Sequence, residues 1–476
     1  MNQRNVTRLG VTSLAVLAST LAIACGPAST GGAPGDPTDG VQPSMPGGAS
    51  VSGGVTAQTD GGRASNDAGP GASNGAGPGA SSGGSTPAPG SGSPDAGAPG
   101  TNGADAGTGT TGTSGADAGT GGPVVTQAGK MPMISGGLPA YSNYALSPAS
   151  SAVDADYGTS WRTGHNPAAS DPNWLALDLS TVPVAMRTTV YSVWFNEYGY
   201  NYDTSDGPSY TLPGDYTIEA NVAPGGGAAP AAGWTTLVTM TGNLLSSGAN
   251  MLDLSGYNWL RFDCTASASN VAAENTDTSL QWNLYDAHAG NDGWKFGGDS
   301  ITANAMGHQA TNDSFDQLVH AVVPNDPAFE MAGHGGWSTA TELANIDAFL
   351  ADFPGHYYGL SLGTNDAPGN DPAGFLANMT QLVDTVLAAG KVPVIPTIPY
   401  TGEPTHGSIP QYNDQIQSLY ATYGAKLVKG PDLYSVIYAG RATMFTNPTD
   451  LHPNAAGNAA IRQAWATAMV ANVYGQ

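Results

Sequence analysis

Cysteine is almost missing from this chain, with two among 476 residues, Cys25 and Cys264. That scarcity excludes a disulfide framework and a zinc site built from thiolates. Basic residues are scarce too: 13 Lys and Arg stand against 37 Asp and Glu, for a formal net charge of −24 and a pI near 4.2. No basic surface for nucleic acid or anionic lipid follows from such a balance. The carboxylates are spread along the chain, which reads as solubility outside the cell and not as an acidic binding tail.

Bulky apolar residues are nearly absent from Gly26 to about Gly129, where Gly, Ala, Ser, Thr and Pro dominate and Asp-Ala-Gly recurs, as at Asp95-Ala96-Gly97, Asp105-Ala106-Gly107 and Asp117-Ala118-Gly119. Such a segment cannot bury enough surface to offset its conformational entropy, so residues 25–129 are predicted to be a disordered tether. A chain of that length has an r.m.s. span of roughly 50–60 Å. At the N-terminus the apolar run from Leu9 to Ala24 follows Arg4 and Arg8 and is broken by Ser and Thr. It is too short for a stable membrane span and reads as a secretory signal over 1–24.

What the chain does contain begins at Met131. From there to about Ala289, short strands alternate with turn residues. Leu175, Leu177 and Leu179 fall on one face of Trp174-Leu175-Ala176-Leu177-Asp178-Leu179, and Tyr216 to Val222 alternates likewise. Further strands are predicted at 189–194, 235–240, 259–265 and 280–285. In the third of these, Leu260, Phe262 and Cys264 share a face, so Cys264 is predicted to be a buried, unpaired thiol. Many short strands with almost no helix predict a β-sandwich over 130–290.

After Gly290-Asn291-Asp292-Gly293 the pattern becomes strand then helix. Strands are predicted at 294–296, 329–332, 357–362, 392–398 and 426–429, and helices at 340–352, 372–389, 409–423 and 454–473. This predicts an α/β doubly wound parallel sheet over 291–476, with its site outside the carboxyl ends of the strands.

Four short blocks sit at those ends: Gly298-Asp299-Ser300-Ile301-Thr302, Gly333-His334-Gly335-Gly336, Gly363-Thr364-Asn365-Asp366 and His452-Pro453-Asn454. A serine hydroxyl is a poor nucleophile until a histidine removes its proton, and attack on an ester creates an oxyanion that needs fixed N–H donors. The four blocks contain residues of those types. In this order they resemble the SGNH (GDSL-type) hydrolases. The resemblance implies that Ser300 is the nucleophile, that His452 is the general base, and that the oxyanion hole is made by the Ser300 N–H, the Gly336 N–H and the Asn365 side chain. Gly333 and Gly335 are alternatives to Gly336, because Gly335 stands where the family often has serine. The family's third triad member falls at Thr449, so either Asp450 or a backbone carbonyl orients the imidazole. No G-x-S-x-G elbow surrounds Ser300, which argues against the α/β-hydrolase fold.

Other candidates carry less. His334 and His406 lie beside the second block and in the loop after the fourth strand, where loop histidine is the simpler reading. Asp366 and Asp371 flank a Pro/Gly turn, and no metal or cofactor is predicted.

Two further resemblances bear on the rest of the chain. Leu21-Ala22-Ile23-Ala24-Cys25-Gly26 resembles a bacterial lipobox, which implies acylation of Cys25 and a protein exported and anchored to the cell envelope. Ala152-Val153-Asp154, Thr159-Ser160-Trp161, Asn173 to Leu179, Pro213 to Glu219 and Trp259 to Phe262 resemble discoidin-like, galactose-binding-type jelly rolls. That resemblance implies glycan binding through end loops, for which the Tyr-rich insertion Asn196 to Tyr210 is a candidate. Together the resemblances imply an esterase that removes O-acetyl groups from polysaccharide. A lipase or arylesterase of the same family is one alternative, and a non-catalytic glycan-binding or adhesion lipoprotein is another.

Overall fold

A computed structural model describes residues 129–196, 202–204, 207–209, 211–268, 277–288, 290–308, 314–324 and 326–476. The expected signal, Cys25, the tether and the side chains of 197–210 lie outside the described residues. Everything described belongs to one unit, Thr111–Gln476.

The first part is built from β1 (Ala140–Ser142), β2 (Trp161–Arg162), β3 (Asn173–Asp178), β4 (Val190–Phe195), β5 (Tyr202–Thr204), β6 (Gly207–Ser209), β7 (Pro213–Asn221), β8 (Thr235–Met240), β9 (Ser247–Leu252), β10 (Trp259–Ser267) and β11 (Ser279–Asp286). Apart from the β5-β6 hairpin they form two antiparallel sheets, ordered β1-β3-β10-β7-β8 and β2-β11-β4-β9. Period-two alternation decides which side chains turn inward. Leu175, Leu177, Ile218, Leu260 and Phe262 from one sheet meet Trp161, Trp194, Leu280 and Trp282 from the other in a single buried cluster. Phe262 stands edge-on to Trp194 and Trp282, with centroids 5.8 Å apart in each pair. Cys264 is buried in that cluster with its thiol unpaired, and burial pushes its pKa up to about 12. Two sheets sharing one core is the arrangement a β-sandwich requires.

Strand β4 departs from simple alternation, because all six of its residues are buried. Val190 and Trp194 enter the core between the antiparallel sheets, while Tyr191, Val193 and Phe195 pack into the apolar clusters of the second part. The second sheet is therefore covered on both faces.

In the second part β12 (Gly293–Gly298), β13 (Ala328–Gly333), β14 (Tyr357–Ser361), β15 (Val392–Ile395) and β16 (Val428–Lys429) form a parallel sheet in the order β13-β12-β14-β15-β16. The helices are α1 (Ser300–Ala303), continued by a π-turn over Asn304–His308, then α2 (Phe315–His320), α3 (Thr339–Leu350), α4 (Pro372–Ala388), α5 (Ile409–Tyr423), α6 (Leu433–Gly440) and α7 (Ala455–Asn472). One apolar cluster joins Trp294 and Phe296 to α2, α6 and α7, and another joins Tyr358 and Leu360 to α3, α4 and α5. Helices thus cover both faces of the sheet, as the doubly wound prediction requires. The fourth strand stops at Ile395 and not at 398, since Pro396 has no N–H to extend the ladder. Sequence periodicity does not reveal α2 or α6. Each buries only two bulky side chains, Phe315 with Val319 and Leu433 with Ile437, too few to make a pattern.

A buried charge cluster lies where the two parts meet. Glu330 on β13 pairs with Lys295 on β12 at 3.0 Å, and both are almost fully buried. It also accepts hydrogen bonds from Ser247 Oγ at 2.7 Å and from the Tyr191 hydroxyl, both contributed by the antiparallel part.

Candidate active site

The sheet order places β12 between β13 and β14, so the chain winds away from β12 in opposite directions. This is the switch point at which doubly wound folds open a crevice. Ser300 follows β12, the turn 334–337 follows β13, and Asn365 follows β14. The first three blocks converge there because of strand order, not because of sequence distance.

Local chemistry then fixes each residue. A Cβ on Gly298 would meet Thr302 Oγ1 at 2.3 Å and Ser361 O at 2.7 Å, so only glycine lets the chain pass. Asp299 is the N-cap of α1, and its carboxylate accepts from Ile301 N at 2.9 Å. That cap makes Ser300 the first helical residue. Burial raises Asp299 to about 6, against hydrogen bonds from Ile301, Thr364 and Thr302 that pull the other way.

At the other end of the domain, Asn454 caps α7 by accepting from Ala456 N at 3.0 Å and Gly457 N at 3.2 Å. Its amide donates to Thr443 O at 3.0 Å and ties the preceding loop to the helix. His452 hangs from this anchored turn with Nε2 2.8 Å from Ser300 Oγ. The ring lies at the surface but in a crowded cleft, and partial burial is the main reason its pKa falls below the ordinary value of 6.5.

Hydrogen bonds also link the other blocks. His334 N donates to Gly298 O at 2.9 Å, and the turn it begins closes with Trp337 N on His334 O at 3.2 Å. Gly336 takes φ +79° in that turn, which favours glycine. Asn365 Nδ2 donates to Trp337 O at 2.9 Å. Asp366 accepts from Thr339 N and Thr339 Oγ1 at the start of α3, and Asp371 caps α4 through Gly374 N. Among the described residues no cluster of three or more His, Cys, Asp or Glu has the makings of a metal site.

Residues 296–460 match the sequence pattern of the GDSL-like Lipase/Acylhydrolase family. This part of the chain is a GDSL-type hydrolase domain. Among solved structures, the acetylxylan esterase Axe2 from Geobacillus stearothermophilus is 18% identical over 37% of this chain and 93% of its own, with a TM-score of 0.31. A lipolytic G-D-S-L family protein from Veillonella parvula DSM 2008 is 18% identical over 38% of this chain and 98% of its own, with a TM-score of 0.30. Chitosan-binding module 1 from a chitosanase/glucanase of Paenibacillus sp. IK-5 is 19% identical over 32% and 98%, with a TM-score of 0.23. None of the curated proteins matches the chain.

Within the GDSL-type domain, the Asp450–His452 hydrogen bond considered from the sequence is not formed. Asp450 accepts from Asn447 N at 2.7 Å and from Asn447 Nδ2 at 3.2 Å, so its carboxylate is turned back to brace its own loop. The physical reason is the spacing: the short Asn447–Asp450 turn satisfies the carboxylate locally. Among the described residues the imidazole of His452 bonds only to Ser300. Glu403, a residue sequence reasoning passed over, lies in the loop after β15, which Gly402 N ties to this turn through Asp450 O at 2.9 Å. Of the two carboxylates acting on His452, Glu403 raises its pKa more than Asp450 does, while His406 lowers it. The one sequence signal for Glu403 is its place in a loop after the carboxyl end of a sheet strand.

Two cavities flank the His452 loop. One of about 210 Å³ is lined by Tyr400, Thr401, Glu403, His406 and Tyr434 among others. The other, about 430 Å³, is walled by Tyr400, Arg441, Phe445, Thr446 and Pro448. Tyr400 lines both and packs edge-on against Tyr434, Tyr438 and Phe445.

Proposed function

We propose that this protein is an exported serine ester hydrolase that removes O-acetyl or other short acyl groups from polysaccharide. The observation that carries the ester-hydrolase reading is the 2.8 Å contact of Ser300 Oγ with His452 Nε2 at the switch point of a GDSL-type domain. In this reading His452 takes the Ser300 proton as the oxygen attacks the acyl carbon. The Ser300 N–H, the Gly336 N–H and the Asn365 side chain hold the tetrahedral oxyanion. His452 then gives its proton to the departing alcohol, leaving an acyl-serine. Water, deprotonated by His452, attacks that ester and releases the carboxylic acid with Ser300 restored.

The polysaccharide part of the reading is supported by an aromatic-walled cavity of about 430 Å³ beside the His452 turn, a volume in the range of small-molecule sites. It is also supported by an antiparallel part that leads straight into the hydrolase. We assign 130–290 to a discoidin-like jelly roll and 291–476 to the hydrolase. Residues 1–24 are assigned to export, Cys25 to lipid attachment and 25–129 to a tether.

Activity on nitrophenyl esters of increasing chain length, together with acetate release from acetylated xylan, mannan and pectin, tests the substrate. Preference for acetate is expected, and a preference for long acyl chains would mark a lipase instead. Ser300→Ala should lower turnover by several orders of magnitude while the protein stays folded. Near-normal turnover in that variant would remove the ester-hydrolase reading altogether.

A further inference from the structure

We infer that Glu403, in the loop after β15, is the carboxylate whose charge balances His452 through space, without a hydrogen bond to the ring, where the family's sequence pattern would place an acid at residue 449. The inference rests on the reading of Ser300 and His452 as nucleophile and base. Thr449 has no charge to offer, and Asp450 has turned its carboxylate onto Asn447. A serine hydrolase still gains from a negative charge near its imidazole, because the ring becomes a cation as the serine proton arrives.

The backbone delivers Glu403 to the right place. Gly402 N donates to Asp450 O at 2.9 Å and stitches the loop after β15 onto the turn that bears His452. The contact is so close that a Cβ on Gly402 would lie 2.0 Å from Pro448 O and 3.2 Å from Thr449 Cα. Glycine at 402 is thus what allows the next residue, Glu403, to lie beside the turn. Glu403 is half-buried, starts the short 3-10 helix Pro404–His406, and lines the cavity of about 210 Å³ together with His406 and Thr401. Its Oε1 accepts from Thr405 Oγ1 at 3.1 Å, which leaves Oε2 free of partners among the described residues.

The charged and titratable groups acting on His452 are Glu403, Asp450 and His406. Burial lowers the His406 pKa, so this ring is neutral near pH 7 and does not cancel the carboxylate there. The larger upward pull of Glu403 on His452 accords with the tie of Gly402 to Asp450 in the turn that bears His452. Glu403 is a positioning residue in this account. It touches no reacting atom and acts through the imidazole.

The test compares Glu403→Gln, Glu403→Asp and Asp450→Asn in the full chain. On 4-nitrophenyl acetate, Glu403→Gln should lower kcat by on the order of 10²- to 10³-fold with KM little changed. Asp450→Asn should cost about tenfold or less, and Glu403→Asp should recover part of the loss. An NMR titration of His452 gives a readout that does not depend on turnover: its pKa should fall in Glu403→Gln by more than in Asp450→Asn. A larger effect of Asp450→Asn on both kcat and the His452 titration overturns the inference, and so does an unmoved His452 pKa in Glu403→Gln. Mild effects of both variants would assign the ring's orientation to a backbone carbonyl and also overturn it. Failure of the underlying reading is distinguishable, because then Ser300→Ala keeps its activity whatever happens at 403.

Discussion

Ser300 and His452 are separated by 152 positions, yet each is set by chemistry within a few residues of itself. Asp299 caps the helix that begins at Ser300, and Asn454 caps the one that follows His452. The two rigid turns then need only one correct long-range approach to meet. Crowding of the imidazole has a consequence for pH. Burial lowers the His452 pKa, so the neutral ring that can accept a proton persists to lower pH than an ordinary histidine would allow. The rising acid limb of kcat/KM should therefore have its midpoint below the ordinary value of 6.5. A pH–rate profile on a neutral ester checks this, and a midpoint above that value would contradict the environment described for His452.

Among the elements, α3 lies against the sheet with an acid inside. Glu342 is fully buried, accepts from the Tyr358 hydroxyl at 2.8 Å through Oε1, and leaves Oε2 without a partner among the described residues. Its neighbour Gly297 has no room for a side chain, since a Cβ there would be 2.4 Å from Glu342 Oε1. Burial raises the Glu342 pKa from 4.5 to about 7, against the pull of Tyr358 and Lys295. A carboxyl whose folded pKa is raised binds its proton more tightly in the native state than in the unfolded chain. Its contribution to stability is therefore fully present below pH 4.5 and is lost as the pH rises to about 7. Glu342→Gln keeps an acceptor for Tyr358 and removes the ionisation. Urea melts should show the variant gaining on the order of 1–3 kcal/mol relative to wild type between pH 4 and pH 8. An equal difference at the two pH values would show that Glu342 ionises freely in the fold.

At the scale of the whole molecule, the antiparallel and parallel parts are not beads on a string. The outer face of β4 sends Tyr191, Val193 and Phe195 into the clusters of the hydrolase, and Glu330 is held from both sides by Lys295, Ser247 and Tyr191. Removing either partner of such a buried pair leaves an uncompensated charge, which is strongly destabilising. Ahead of this body the proposed tether would give a lipid-anchored enzyme a reach of roughly 50–60 Å. If Cys25 carries the lipid, the protein should fractionate with membranes and Cys25→Ala should be released in soluble form. One acyl chain binds a membrane weakly and stable anchoring takes more than one, so the contrast should be sharp. Mass spectrometry that finds the mature N-terminus elsewhere and unmodified would remove the anchor.

Sequence alone determined the features that arise from neighbours along the chain. The alternation of Leu260, Phe262 and Cys264, the parallel strands and their main helices, and the blocks around Ser300, Gly336, Asn365 and His452 were all legible there. Each depends on a local period, a cap or a glycine that the backbone requires. Only the tertiary structure decided what depends on which surfaces meet. It buried both faces of β4, enclosed Lys295 with Glu330, and brought Gly402 against the turn before His452. Asp450 shows the limit most directly. Its place two residues before His452 made it one of two candidates to orient the ring, beside a backbone carbonyl, yet a carboxylate bonds to whichever donor the fold puts within reach, and here that donor is Asn447.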